Sequence, residues 1–186
     1  MNNKNLNFSN RDAVSGVNKL FVQRWSPRKY LPVPVSEQDL ETIFDAARWS
    51  PSCYNEQPWM FLTSTESTHK QFVSLLVAGN QQWAKNASVI GFMVAATTFS
   101  RNGNENYHAA FDTGAAWMAI NLQASMLGLY VHGMGGIEYD AIYEQLNINS
   151  ETHQVMCGFA LGKLDTSGNE EITARKPLAD IWRPFS

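Results

Sequence analysis

Cysteine is scarce, with Cys53 and Cys157 the only two in 186 residues. No CxxC pair occurs and no Cys/His spacing suits zinc, so a disulfide scaffold and a structural zinc site are set aside and no metal is expected. Clustered basic charge is lacking too. The formal net charge is −3 and no Lys/Arg run occurs, so no nucleic-acid partner is expected. The longest apolar run, Ala87–Phe99, is interrupted by Ser88, Thr97 and Thr98 and falls short of the roughly 20 residues that span a bilayer. The opening MNNKNLNFSN has no apolar stretch of the signal-peptide kind. A cytoplasmic location without membrane contact is the expectation. There is no internal repeat and no low-complexity linker, which points to one α+β domain over residues 1–186. Residues 1–9 are expected to be flexible.

Aromatic residues are plentiful: six Trp, six Tyr and ten Phe. They serve core and interface first, and a ring-binding cleft second. Val14, Val17, Leu20 and Phe21 recur at helical spacing, predicting a helix over 10–23. Pro27, Pro32 and Pro34 then make 25–35 an extended connector. Ser36, with Asp39 three places on, opens a helix bearing Leu40, Ile43, Phe44 and Ala47, which Pro51 ends. Strands are predicted over 59–63, 89–96, 129–132 and 154–164, and further helices around Phe72–Leu76, with Gly79 as its C-terminal cap, and over 139–146.

The segment 107–128 is predicted to be a long helix apolar almost all round, with small residues Ala109, Ala110, Gly114, Ala115, Ala116 and Ala119. A helix with no polar face cannot present any side to water. In so short a chain, that predicts a partner subunit, with Trp117 at the contact. The tail 165–186, with Trp182 and Phe185 near its end, is expected to pack on that partner.

Four constellations could carry chemistry. Arg24, Ser26 and Arg28 alternate along an extended segment, so they point to one side, where guanidinium groups bind phosphate bidentately. A solvated basic stretch is the plain alternative. Pro51-Ser52-Cys53-Tyr54-Asn55-Glu56-Gln57-Pro58-Trp59 joins a helix to a strand and is rich in groups able to read a heterocycle's polar edge. Gly133-Met134-Gly135-Gly136 follows a strand and lets backbone N–H groups approach a ligand. It is not a Rossmann GxGxxG in register. Arg175-Lys176 in the tail is a pair of cations able to close on a phosphate. Of the histidines, His69 reads as surface, His108 opens the long helix and His153 the last strand. His132 lies just before the glycine turn, within reach of a cleft.

Together these marks resemble the FMN-dependent nitroreductase family: RWSPRKY (24–30), ARWSPSCYNEQPWMF (47–61), GNQQW (79–83), DTGAA (112–116), GMGG (133–136) and ARKPL (174–178), in the family's order. The PSxxNxQPW stretch is the most specific. The resemblance implies a nitroreductase-like fold, a central mostly antiparallel sheet flanked by helices, in an intertwined homodimer. It implies FMN as cofactor and NADH or NADPH as reductant. Arg24, Trp25, Ser26 and Arg28 correspond to the first FMN segment, and Arg175 with Lys176 to the tail cations on the phosphate. Pro51, Ser52, Cys53, Asn55 and Gln57 correspond to the loop that a neighbouring subunit lays against the flavin. Asn80 corresponds to the asparagine reading its polar edge, and Met134, Gly135 and Gly136 to the turn beside flavin N5.

No side chain is assigned as general acid. Flavin N5 carries the hydride, with the Gly135 backbone and Arg28 as tuning groups. Trp83 stands where some relatives carry a cation, and Gly135 where some carry glutamate. The first alters flavin tuning or the cleft wall, and the second removes a carboxylate near N5. Segment 99–106 is the one candidate lid. The implied activity is two-electron, ping-pong reduction of nitroaromatics, quinones or similar small electrophiles. Two other readings remain at this point: a flavin carrier or sensor without turnover, and a specialised relative acting on an enone, a pterin or flavin. A thiol enzyme built on Cys53 would need a base within hydrogen-bond reach, and the sequence carries no Cys/His signature for one.

Overall fold

The computed structural model describes residues 6–167 and 170–185. Its elements run α1 (Lys19–Gln23), β1 (Tyr30–Leu31), α2 (Glu37–Arg48), a 3-10 turn (Cys53–Asn55), β2 (Trp59–Thr63), α3 (His69–Ser74), α4 (Ala78–Ala84), β3 (Val89–Ala96), α5 (Ala109–Met126), β4 (Tyr130–Met134), α6 (Tyr139–Gln145), β5 (His153–Leu164) and α7 (Leu178–Ile181). This is the expected α+β class, and every strand pairing is antiparallel.

The twelve-residue β5 organises the sheet. β3 lies along it from His153 to Leu161, β4 pairs with Gly158–Gly162, and β1 pairs with Lys163 and Leu164. β2 closes the far side of β3. Side chains alternate between faces along a strand, and they sort into two cores accordingly. Ile90, Phe92, Tyr130 and Ala160 join Phe72 of α3, Leu76 just after it and Ile142 of α6. Val89, Val131, Phe159 and Leu161 join Ile43 and Ala47 of α2 and Ala116 and Ile120 of α5.

Helix starts follow local chemistry. Ser36 Oγ accepts from the Asp39 N–H at 3.1 Å, and Glu37 and Asp39 place negative charge at the positive end of α2. Two expectations need correction. The helix over 10–23 shrinks to Lys19–Gln23, because Gly16 turns left-handed at φ 94° and Asn18 caps at Leu20. Its apolar stripe, Val14, Val17 and Phe21, is exposed. Gly79 caps nothing: α3 ends at Ser74, and Gly79 sits inside α4.

The long helix falls at Ala109–Met126, and it does present an outward face in the single chain. Phe111 is 79% exposed, and Gly114 is exposed one turn on. Trp117 instead packs on its own core, 5.8 Å from Phe159 between ring centroids. At the termini, Leu6 and Phe8 pack against the core, so the expected flexibility does not extend to them; residues 1–5 lie outside the described residues. Ile172 is buried, whereas Leu178, Ile181, Trp182 and Phe185 are exposed. Among the described residues, no helix is long and apolar enough to cross a membrane.

Candidate functional site

The extended segment after α1 alternates as its sequence predicts. Trp25 and Pro27 turn inward, while Ser26 and Arg28 face out and Arg24 is half-buried beside them. Arg24, Ser26 and Arg28 line a cleft of about 410 Å³ together with Trp25, His132 and, from the tail, Glu170, Glu171, Thr173 and Arg175. Arg24 Nη1 donates to Ser26 Oγ at 3.2 Å. Two distant stretches of sequence thus converge on one cleft because β5 delivers the tail beside β1, where the Asp165 N–H donates to the Lys29 carbonyl.

Cations crowd together at one end of this cleft and just behind it. Burial, foremost, and the nearby Arg175 push the Arg24 guanidinium below its ordinary range. Arg11 is pushed down likewise by burial, then by Arg175 and Arg24. Three like charges within mutual reach mark a place where an anion gains affinity. Among the described residues, the recorded ion pair is Arg48–Asp45, elsewhere. Glu170 lines the cleft too, but its carboxylate is taken up by the Arg28 backbone N–H, at 2.9 and 3.1 Å. Arg11 was not legible as a site residue, since it stands alone in a polar stretch thirteen positions before Arg24.

From this cleft a continuous line of contacts leads to the glycine turn. The Pro27 carbonyl lies 3.0 Å from His132 Nδ1. A carbonyl only accepts, so Nδ1 carries the proton. Burial, foremost, lowers the His132 pKa. The His132 ring sits 4.8 Å from Trp83, which stacks on Tyr30 at 6.3 Å. Trp83 Nε1 donates to Asn80 Oδ1 at 3.3 Å, and Asn80 Nδ2 donates to the Gly136 carbonyl at 2.9 Å. An amide has two donors and two acceptor sites, so Asn80 retains one of each for a ligand. Trp83 here holds Asn80 through its indole N–H and packs against His132, which lines the cleft.

The glycine turn is tight at one residue and open at the next. A Cβ on Gly136 would meet Val77 Cγ2 at 2.8 Å and Asn80 Nδ2 at 2.9 Å, whereas one on Gly135 would meet nothing within 4 Å. Met134 is 3% exposed and belongs to the core, so its side chain is not a ligand-facing group. Trp25 is also core, with a buried Nε1 that lacks a hydrogen-bond partner. Lys176 lines an apolar groove with Val14, Phe21 and Ile181, apart from the cleft that holds Arg24.

The loop from Pro51 to Gln57 lies elsewhere. The Ala96 N–H donates to the Pro58 carbonyl, and Ala96 pairs with His153 at the start of β5. His132 pairs with Ala160. Seven residues along a strand separate these levels by roughly 20 Å. Within one chain the loop therefore does not meet the arginine cleft. It is nevertheless held in one shape. Tyr54, Asn55 and Gln57 all have positive φ, near 55°, a conformation costing of order 1 kcal/mol for such residues. Ser52 Oγ accepts from the Gln57 N–H at 2.9 Å, Asp112 accepts from the Cys53 N–H at 2.9 Å, and Glu56 accepts from the Ser100 N–H at 2.7 Å. Arg101, in the candidate lid, sits 3.8 Å over the Tyr54 ring.

One further side chain departs from its reading. His69 is half-buried, its Nε2 2.9 Å from the Ala87 carbonyl. Burial pushes the Cys157 thiol up to about 11. Among the described residues no group of three His, Cys, Asp or Glu is placed to hold a metal.

Comparison with known proteins shows the family and the fold. The sequence profile of the Nitroreductase family matches residues 21–76 and 63–163. A crystal structure of an oxidoreductase containing FMN is 40% identical, with a TM-score of 0.87 over 96% of each chain. A Nitroreductase Family Protein from Streptococcus pneumoniae shares the fold at 17% identity, with a TM-score of 0.76 over 90% of this chain and 98% of its own. An oxygen-insensitive NADPH nitroreductase from Helicobacter pylori is 38% identical over 55 residues, which are 30% of this chain and 26% of that protein.

Proposed function

Because the chain belongs to the nitroreductase family, we propose that it is an FMN-dependent NAD(P)H oxidoreductase that reduces nitroaromatics, quinones or similar small electrophiles in two-electron, ping-pong fashion. The carrying observation is the cleft lined by Arg24 and Arg175, for neither of which an ion pair is recorded among the described residues, joined through His132, Trp83 and Asn80 to an open glycine turn. That arrangement fits FMN: a dianionic phosphate suits guanidinium groups, and the bare backbone at Gly135 gives a planar ring room to approach. FMN, when bound, supplies the hydride acceptor and donor.

The protein's share is position and electrostatics. Arg24 and Arg175 hold the phosphate, and Ser26 orients Arg24. Asn80 offers its remaining donor and acceptor to the polar edge of the ring. Arg28 supplies positive charge where negative charge builds during reduction. Trp83 and His132 exclude water from one wall.

The remaining wall comes from a second chain. The loop from Pro51 to Gln57 sits about 20 Å along the sheet from the cleft, so a homodimer that lays one subunit's loop over the other's cleft completes the site. The oxidoreductase containing FMN, at 40% identity over almost the whole chain, supports the cofactor. The Helicobacter pylori relative, matched over a quarter of its length, supports NADPH as one possible reductant and a nitro compound as acceptor.

The test is an anaerobic titration of FMN-reconstituted protein with NADH and NADPH, followed by menadione and nitrofurazone. Bleaching of the flavin band by a nicotinamide and its return with an oxidant is the expected result. A protein that stays colourless after reconstitution refutes the proposal, and one that binds FMN without turnover is a carrier. Arg24→Ala is expected to weaken FMN binding by about 1.5–3 kcal/mol, the worth of a charge-assisted hydrogen bond. An unchanged dissociation constant would count against the phosphate assignment.

A further inference from the structure

Arg11 lies outside every motif that led to the cleft, and it does not line the cleft itself. Its guanidinium nevertheless ties together two distant segments. Nη1 donates to the carbonyls of Val22 and Arg24, the latter at 2.7 Å. Nε donates to the Thr173 carbonyl at 3.1 Å. Val22 and Arg24 flank the turn out of α1, and Thr173 stands two residues before Arg175. The neighbouring Asn10 donates to the Ile172 carbonyl, so the same short stretch grips the tail twice. On its other side Arg11 shares a groove with Arg175, and Phe8 lies beneath it at 5.5 Å.

The chemistry of this arrangement is specific. Three carbonyls, two at the end of α1 and one in the distant tail, are satisfied by one planar fork, a geometry open to guanidinium and not to a point-charge ammonium. The cost is a third positive charge beside two others, and its Nη2 is buried without a hydrogen-bond partner. A group that served only to join segments could be neutral. A cation held behind two more cations raises the potential at the point where they converge, and a dianion there offsets the repulsion.

We propose that Arg11 is a positioning residue for the phosphate end of the cleft, clamping the backbone at Arg24 and at Thr173, two residues before Arg175, so that the Arg24 and Arg175 guanidiniums converge on a phosphate monoester. The proposal rests on the FMN reading above. Arg11 acts through Arg24 and Arg175 and does not touch the ligand.

The experiment compares FMN with riboflavin, which lacks the phosphate, by fluorescence titration of flavin-stripped wild type, R11A and R11K. Arg11→Ala is expected to raise the FMN dissociation constant about tenfold or more, on the scale of one displaced charge near a phosphate, while riboflavin affinity stays within about twofold. Arg11→Lys, which keeps the charge but cannot span the three carbonyls, is expected to fall between wild type and R11A for FMN. It also serves where R11A does not fold. Equal losses for FMN and riboflavin would mean that Arg11 merely holds the fold, and would overturn the proposal, as would no loss for either. Wild type that binds FMN no more tightly than riboflavin would refute the phosphate assignment itself, a failure distinct from that of Arg11.

Discussion

Adding one carbon at Gly136 and one at Gly135 separates what the glycine turn does for the fold from what it does for the ligand. Neither residue has a positive φ, so alanine brings no backbone strain and only space decides. At Gly136 the new carbon would lie 2.8 Å from Val77 Cγ2 and 2.9 Å from Asn80 Nδ2, both well inside contact distance. Asn80 is the group that donates to the Gly136 carbonyl, so relief of the clash by moving Asn80 loses that bond. Overpacking costs about 1–3 kcal/mol, and the lost bond adds about 1 kcal/mol. Gly136→Ala is therefore expected to destabilise the flavin-free protein by about 2–4 kcal/mol, read from urea midpoints. At Gly135 the new carbon meets nothing within 4 Å, so Gly135→Ala should leave flavin-free stability within about 0.5 kcal/mol. It should still weaken FMN binding, because the methyl occupies the side from which the ring approaches the backbone. If Gly135→Ala bound FMN normally, the glycine turn would be a plain strand ending and the ring would lie elsewhere. If Gly136→Ala were as stable as wild type, the packing against α4 would be wrong.

Other outcomes follow from the same geometry. Iodoacetamide near pH 8 should modify Cys53 ahead of Cys157, whose thiol is pushed up to about 11 by burial. Cys53→Ala should keep its turnover with menadione, and an inactive Cys53→Ala that still binds FMN would revive a thiol mechanism. His132 is held below its ordinary value, chiefly by burial. The unfolded chain then binds more protons than the folded one once pH drops below about 6.5, so stability falls with pH through that window. His132→Gln should flatten that part of a urea-midpoint profile, and an unaltered slope would show that His132 is not the group responsible.

The strands were legible almost to the residue where apolar runs are short and bounded by turn formers. Trp59–Thr63 and Val89–Ala96 are examples. The stretch over 10–23 was not, because helical spacing of Val14, Val17, Leu20 and Phe21 reports a shared face without reporting where that face goes. Here Gly16 breaks the helix, and the face is left open on a groove with Ile181. The alternation of Arg24, Ser26 and Arg28 was readable because two-residue periodicity survives any tertiary context once proline has excluded helix. Arg11 and Glu170 were invisible for the opposite reason. Each matters through a partner more than a hundred residues away or through a backbone atom, and neither relation leaves a mark in local pattern. Trp83 was noticed as an oddity, but its bond to Asn80 Oδ1 required the turn of α4 to be seen.

Strain in the loop from Pro51 to Gln57 and the bare face of α5 are one problem with one solution. The loop holds three left-handed residues without a glycine among them, and it is tied to α5 through the Cys53 N–H and Asp112. Loop and helix are therefore joined by that bond. The next residue of that helix toward its start, Phe111, stands 79% exposed, and burying such a side chain is worth about 1.5–3 kcal/mol. Whatever docks on α5 receives the preshaped loop along with it, and a second copy of the chain presents the arginine cleft that this loop lacks at home. Dimerisation and cofactor binding should then fail together. Trp117 is a poor probe, since it packs on Phe159 and lies 3.1 Å from where a Gly133 side chain would begin. Phe111→Asp is the better one. Sedimentation should show monomer and fluorescence titration a parallel loss of FMN, with urea stability of the monomeric fold nearly kept. A Phe111→Asp protein that is monomeric yet binds FMN at wild-type strength would break the link between the two ends of the sheet.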